Sequence, residues 1–293
     1  MSVLFFEDLC TLPYSPANIV GDKSHIFYYE CGGAAHLANV SPRPLPNEAD
    51  GTIPLQSILG AIRDSNIHFP ITRLVALENT HAFCGGRVLP EGYIQSVSNV
   101  LKDKNIKLHI DGARIWNAAV AAGRQVSEVV AGADSVSVCM SKGLGAPIGS
   151  LLVGPADFIR RARHVRKSLG GGMRQVGVLG APCMVALDDF EAGLICQQDH
   201  KHARRIAEAL ASDDISAFSV DTQLVETNII LVFLSDGVRV PVAEVCSMLK
   251  QHRVLVAPRD SNSIRVVTHR DLSSEAIDGL IDAFRAVSRS IVA

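Results

Sequence analysis

Leu108-His109-Ile110-Asp111-Gly112-Ala113-Arg114 and, 31 positions after Asp111, Ser141-Lys142-Gly143-Leu144-Gly145 decide the fold. Each stretch follows a short apolar, β-branched run, Lys107 to Asp111 and Ser135 to Met140, which stops at a charged residue backed by glycine. That pattern reads as a strand ending in a turn. Arg73 to Leu77 and Gly149 to Val153 read as further strands. Pro54 to Asp64, with Leu55, Ile58, Leu59 and Ile62 at helical spacing, and Glu91 to Lys104 read as helices. Such alternation from about residue 50 specifies βαβ units, so the expected class is α/β, a doubly wound large domain on a mostly parallel sheet.

After Gly172 helical periodicity runs toward Leu210, and Gly177, Gly180 and Pro182 are expected to break or bend it. Beyond it come strand patterns at Ser216 to Val220, Thr227 to Leu234, Val254 to Ala257 and Ile264 to Thr268, with helices Val242 to His252 and Ser273 to Ser290. These imply a smaller C-terminal α+β domain. The boundary is expected between residues 190 and 212, dividing the chain into 1–200 and 201–293.

Composition narrows the function classes. With 28 Lys+Arg against 30 Asp+Glu, the chain lacks the positive surplus that binding a phosphate backbone or an anionic membrane needs. Hence neither nucleic acid nor membrane is an expected partner. No apolar run approaches the roughly 20 residues of a membrane helix. The seven cysteines are scattered without a C-x-x-C pair, which suggests neither a disulfide framework nor a structural metal site. A reducing, cytoplasmic location is expected. The apolar front, Met1 to Phe6, is followed by Glu7 and Asp8 and lacks the basic residues of a signal or transit peptide.

In an open α/β sheet, ligands sit at the carboxyl ends of the strands, and Asp111 and Lys142 both fall there. Taken singly, Asp-Gly is an ordinary turn and Lys-Gly an ordinary loop. Together they supply what pyridoxal phosphate chemistry requires: an amine for a Schiff base and a carboxylate to keep the pyridine nitrogen protonated. The glycines beside Lys142 leave room for close approach, and desolvation there would favour the neutral amine.

With these motifs stand Ser24-His25-Ile26-Phe27-Tyr28-Tyr29-Glu30, Leu77-Glu78-Asn79-Thr80-His81, Gly85-Gly86-Arg87-Val88-Leu89-Pro90, Gly170 to Gln175 and Ile264 to His269. Their order from about residue 18 to the C-terminus resembles the low-specificity threonine aldolases of the β-eliminating lyase group, pyridoxal-phosphate enzymes of the aspartate-aminotransferase fold (fold type I). The resemblance implies that Lys142 is the Schiff-base lysine, Asp111 the partner of the pyridine nitrogen and Arg114 a neighbour of the phenolic oxygen. It implies that His25 stacks on the ring and that His81 lies near the substrate's β-hydroxyl, positioning or assisting proton transfer. A lone histidine is otherwise commonly a satisfied core or surface group. Arg265 resembles the binder of the substrate carboxylate; an arginine inside an apolar strand needs an anionic partner, which an internal Asp or Glu also satisfies. Arg160 to Lys167 reads as a solvated helix face. The resemblance instead implies that Arg174, aided by Lys167, reaches a neighbouring subunit's cofactor phosphate, making the protein a homodimer or homotetramer with shared active sites.

The implied reaction is cleavage of threonine or allo-threonine, a small β-hydroxy-α-amino acid, to glycine and an aldehyde. Two alternatives stay open: another β-eliminating lyase, and a catalytically impaired paralogue. The second arises because the family's Ser-Gly-Thr-like phosphate turn has no counterpart in residues 1 to 17, as if an N-terminal segment were missing. Losing two or three charge-assisted hydrogen bonds of about 1.5–3 kcal/mol each is expected to weaken cofactor binding.

Overall fold

The strands at the middle of the central sheet are buried along most of their length, with Asn18, Thr72, Glu78, His109 and Asp111 enclosed among apolar side chains. The computed structural model describes residues 16–63 and 66–292. Six strands, β1 (Pro16–Gly21), β2 (Ser41–Leu45), β3 (Ile71–Glu78), β4 (Lys107–Gly112), β5 (Ser135–Cys139) and β6 (Ser150–Val153), form this sheet in the order β2-β1-β3-β4-β5-β6. The first five are parallel and β6 runs antiparallel to β5. Ile19, Leu74, Val75, Leu108 and Ile110 are fully enclosed. Val20, Leu74 and Ala76 share a core with Phe158, Ala162 and Val165 of the helix Ala156–Ser168. The opposite side of that helix carries Arg160, Arg163, Arg166 and Lys167 into solvent, the solvated face expected of the charge run.

β1 and β2 lie ahead of the stretch in which strands are legible from sequence. Ser-Pro-Arg-Pro-Leu is an unpromising strand, yet β2 is an edge, where proline's missing N–H goes unused. The expected front that lacks a phosphate turn falls on residues 1–15, outside the described residues, and on Pro16 and Ala17, which open β1. Asp64, the expected end of the helix from Pro54, is likewise outside them; the helix spans Leu55–Ala61.

The crossover from β2 to β3 passes β1, so the winding direction reverses between β1 and β3. Because β1, β3, β4 and β5 are parallel, their carboxyl ends share one edge with that switch point at its centre, the usual place for a ligand in such a sheet.

The second unit holds β7 (Phe218–Ser219), β8 (Ile229–Leu234), β9 (Ala257–Pro258) and β10 (Ser263–Val267), antiparallel in the order β7-β8-β10-β9. Helices Gln197–Leu210, Val242–Gln251 and Ser274–Val292 close over it, burying Ile206, Ile230, Val232, Leu249, Ile264 and Phe284 together. Gly85–Arg87 also belongs to this unit: Thr227 Oγ1 donates to the Gly86 carbonyl at 2.7 Å, and Arg87 pairs with Glu226 at 2.9 Å.

Three sequence expectations need correction. The units divide between Ala192 and Gly193, inside the expected 190–212 window but ahead of the 200/201 cut. A cut after residue 200 would split the helix Gln197–Leu210, whose Ala203, Ile206, Ala207 and Leu210 belong to the second core. The long helical stretch is two helices, Gly177–Glu191 and Gln197–Leu210. Pro182 lies inside the first without ending it, and the break comes at Gly193, whose φ of 72° suits a residue just past a helix C-terminus. Finally, Val254 and Val256 pack on the second core, and pairing on β9 begins only at Ala257. No helix among the described residues is long and apolar enough to cross a membrane.

Phe284 is fully buried and meets Phe218 edge-on at 5.0 Å between ring centres. Phe284→Ala is expected to cost about 3–5 kcal/mol of unfolding free energy, read from urea denaturation. A loss well below 1 kcal/mol would contradict this packing.

Candidate active site

Four strand ends build the site in the first unit. After β1, Asp22 Oδ1 accepts the Asn47 N–H at 2.9 Å, and the Lys23 N–H donates to Asn47 Oδ1 at 3.0 Å. The Asn47 amide fills the space where a side chain on Gly21 would stand, since a Cβ there would lie 2.1 Å from Oδ1. His25 begins a one-turn helix, His25–Tyr28, with a half-buried ring. Its Nε2 lies 3.3 Å from Glu30 Oε1 and its ring 5.2 Å from that of Tyr29.

After β3, Glu78, Asn79, Thr80 and His81 are all buried. Glu78 Oε2 accepts the His25 N–H at 2.7 Å, and Oε1 accepts the Ala82 N–H at 2.9 Å. Burial holds its carboxyl above the usual range, against those two hydrogen bonds and the nearby His25 and Arg114. The Asn79 N–H donates to the Asp111 carbonyl at 2.9 Å, which ties this turn to β4.

His81 packs its ring against Gly51, where a Cβ would come within 2.6 Å of the histidine's own Cβ. His81 Nδ1 accepts the Cys84 N–H at 3.4 Å, which assigns the ring hydrogen to Nε2, a buried atom without a hydrogen-bond partner among the described residues. Burial first, then the charge of Lys23, lowers its pKa to about 4, so the ring is neutral near pH 7.

Asp111 is the next-to-last residue of β4, directly in register with Glu78 on β3. The Asp111 carboxylate is 8% exposed and accepts one hydrogen bond, from the Ala113 N–H at 3.1 Å. Burial, with the charge of Glu78 second, pushes its pKa up to about 6, while Lys142 and His25 act in the opposite direction. Gly112 permits the close approach of β5: a Cβ there would sit 2.8 Å from the Ser137 carbonyl oxygen. Arg114 follows and lies within electrostatic reach of Glu78.

After β5, Lys142 occupies a turn closed by the Gly145 N–H donating to its carbonyl at 2.9 Å. Gly143 is pinned beneath it against buried Asn117, whose Oδ1 would be 2.3 Å from a Cβ. Trp116 Nε1 donates to the Cys139 carbonyl at 3.0 Å and fixes the strand just before the turn.

His25, His81, Asp111, Arg114 and Lys142 thus come from one edge of one sheet, where the strand ends place Asp111 and Lys142 and the resemblance adds the other three. Three details differ from expectation. Lys142 is exposed, so the chain itself does not provide the desolvated setting expected for its amine. His81 is fully enclosed rather than open toward a substrate. Arg265 lies on β10 between inward-facing Ile264 and Val266, but is itself exposed, since alternate residues of a strand face opposite ways. The premise of a buried arginine therefore fails.

Lys167 is exposed in the last turn of Ala156–Ser168, and Arg174 is exposed in the turn before Gly177–Glu191. Sequence reasoning misses the roles of Glu78 and Asn79, which lie inside the motif that holds His81. An acid closing an otherwise apolar strand is the signal that could have found Glu78.

A mostly parallel sheet with paired carboxylates and a lysine turn at its carboxyl edge defines an α/β enzyme-like scaffold. Comparison places it further: residues 6–236 match the family described as beta-eliminating lyase, and the chain belongs to that family. It is 43% identical over 269 residues, 91% of this chain and 74% of the relative, to low-specificity L-threonine aldolase 1 of Arabidopsis thaliana. It is 40% identical over 268 residues, 92% of this chain and 76% of the relative, to low specificity L-threonine aldolase of Escherichia coli strain K12. The solved threonine aldolase of Leishmania major aligns over 97% of this chain and 81% of its own, with a TM-score of 0.76 at 19% identity. The fold is that of the type I pyridoxal-phosphate enzymes.

Asp111 gives a pH-dependent prediction for the cofactor-free chain. Its folded pKa, about 6, exceeds its ordinary 3.8, so the group favours folding below pH 3.8 relative to neutral pH, and that advantage is lost as pH rises through 6. Asp111→Asn is therefore expected to stabilise the cofactor-free chain by about 2–3 kcal/mol at pH 7. The gain should shrink between pH 6 and pH 4 in urea titrations. An equal effect at both ends of that range would refute the assignment.

Proposed function

We propose that the chain is a pyridoxal-phosphate-dependent carbon–carbon lyase that cleaves L-threonine and L-allo-threonine to glycine and acetaldehyde. One observation carries this reading: Asp111, a buried carboxylate at the switch-point edge with a single backbone hydrogen bond, stands beside the Lys142 turn. A carboxylate kept dry and without a salt bridge among the described residues fits a protonated pyridine nitrogen, which would complete its hydrogen bonding and balance its charge. The residues therefore fit pyridoxal phosphate. Lys142 Nζ would hold it covalently, Asp111 would hold the ring nitrogen, Arg114 the phenolic oxygen and His25 one ring face.

Bound pyridoxal phosphate supplies an electron sink for the pair released when the substrate's Cα–Cβ bond breaks. The chain's own groups do the rest. Arg265, exposed on its strand, binds the substrate carboxylate as a planar fork. His25, whose half-exposed ring carries Nε2 3.3 Å from Glu30 Oε1, accepts the β-hydroxyl proton directly or through water. His81 stays neutral and assists by holding its turn.

The working unit is a homodimer or a homotetramer. Helix Gly177–Glu191 exposes Val178 (77%), Met184 (59%) and Val185 (61%), a surface that a second copy would cover. Arg174 and Lys167, exposed beside it, reach the neighbouring copy's cofactor phosphate. None of the six described cysteines is joined to another by a disulfide, which suits a cytoplasmic location.

With pyridoxal phosphate added, the chain is expected to show the visible absorption of a lysine-bound cofactor and to release acetaldehyde from L-threonine. Lys142→Ala should abolish both; survival of either would remove Lys142 from its role. Release of pyruvate in place of acetaldehyde would replace this reading with an eliminating lyase.

A further inference from the structure

We infer that Glu78 is a positioning residue that sets both site histidines with one carboxylate, an inference that rests on the threonine-cleaving reading above. Oε2 takes the N–H of His25 itself, and Oε1 takes the N–H of Ala82, the residue after His81. These two donors follow different strands, β1 and β3, and the first is 53 residues away in sequence. His25 opens a one-turn helix, so its N–H has no partner within the helix and must find one outside.

A carboxylate is suited to this position because it presents two acceptors and no donor. Glutamine has a single acceptor oxygen and would turn an NH2 toward one of the two N–H groups. Aspartate keeps the charge but is one methylene too short to reach both. Glu78 is 4% exposed, where charge-assisted hydrogen bonds to backbone N–H groups hold their geometry firmly. Its place in register with Asp111 brings two acids together at a dry strand end. For stability alone an apolar residue would do better there. The arrangement makes sense if His25 and the His81 turn must be fixed relative to Asp111 and to each other.

Glu78 acts through the histidines, so the test reads their backbone as well as turnover. In the cofactor-free full-length chain, the His25 and Ala82 amides should exchange with deuterium at least about 10-fold more slowly than unstructured amides. Absence of that protection overturns the inference without any variant. In both Glu78→Gln and Glu78→Asp, the segments around His25 and Ala82 should lose protection while β8 in the second unit keeps its own.

With pyridoxal phosphate bound, kcat for L-threonine should fall roughly 10- to 100-fold in both variants while KM moves less than about threefold. Restoration of full activity by aspartate would show that the charge alone matters, and unchanged exchange in both variants would show that Glu78 holds neither turn. Either result overturns the inference. If the unmutated chain does not cleave threonine, the functional reading fails, whereas the exchange measurements still judge the Glu78 clamp.

Discussion

Asp111 is buried beside a second acid at the carboxyl end of a parallel sheet, and much of the surrounding design serves that placement. Burial raises the proton affinity of both carboxylates, and the charge of Glu78 raises that of Asp111 further, at a cost in folding energy. The sheet brings them together because β3 and β4 are parallel neighbours in register, Glu78 against Asp111. Gly112 then lets β5 close in, Trp116 ties down the end of β5, and Gly143 settles on Asn117 to hold the Lys142 turn. Each step is a close approach that a larger side chain would block. An acid pair with such support belongs to a site that needs negative charge at a fixed point.

The two units contribute differently. The first carries the dry acid pair, both histidines and the lysine turn. The second carries Arg265 on an antiparallel sheet with a core of its own, from Ala203 to Val287. The first also ends in a helix, Gly177–Glu191, that buries only Ala186 and leaves a row of apolar side chains in solvent. That helix is unusual for a surface element and is the physical ground for the proposed association of copies.

Much of this is legible in the sequence, for identifiable reasons. Strands β3, β4 and β5 are β-branched runs closed by a charged residue. Parallel strand ends gather such residues on one edge, so the residue pattern by itself groups Asp111 and Lys142, whereas the two histidines enter only through the family resemblance. β1 and β2 are not legible, because proline and asparagine mask strands that pairing, rather than local propensity, creates. Arg265 reads as buried from its apolar neighbours, although alternation on β10 turns it outward. The enclosure of His81 depends on Gly51, thirty residues upstream, and the double grip of Glu78 depends on His25. Contacts between such distant positions leave no local pattern to read.

In the proposed function, the strand-end turn after β5 and Asp111, next to the end of β4, together hold pyridoxal phosphate through Lys142. Borohydride reduction of the chain mixed with pyridoxal phosphate, followed by proteolysis and peptide mass mapping, tests it most directly. A single phosphopyridoxyl label is expected, on the peptide containing Lys142, strongly reduced when Asp111 is replaced by Asn. Labelling spread over other lysines, or none at Lys142, would contradict it.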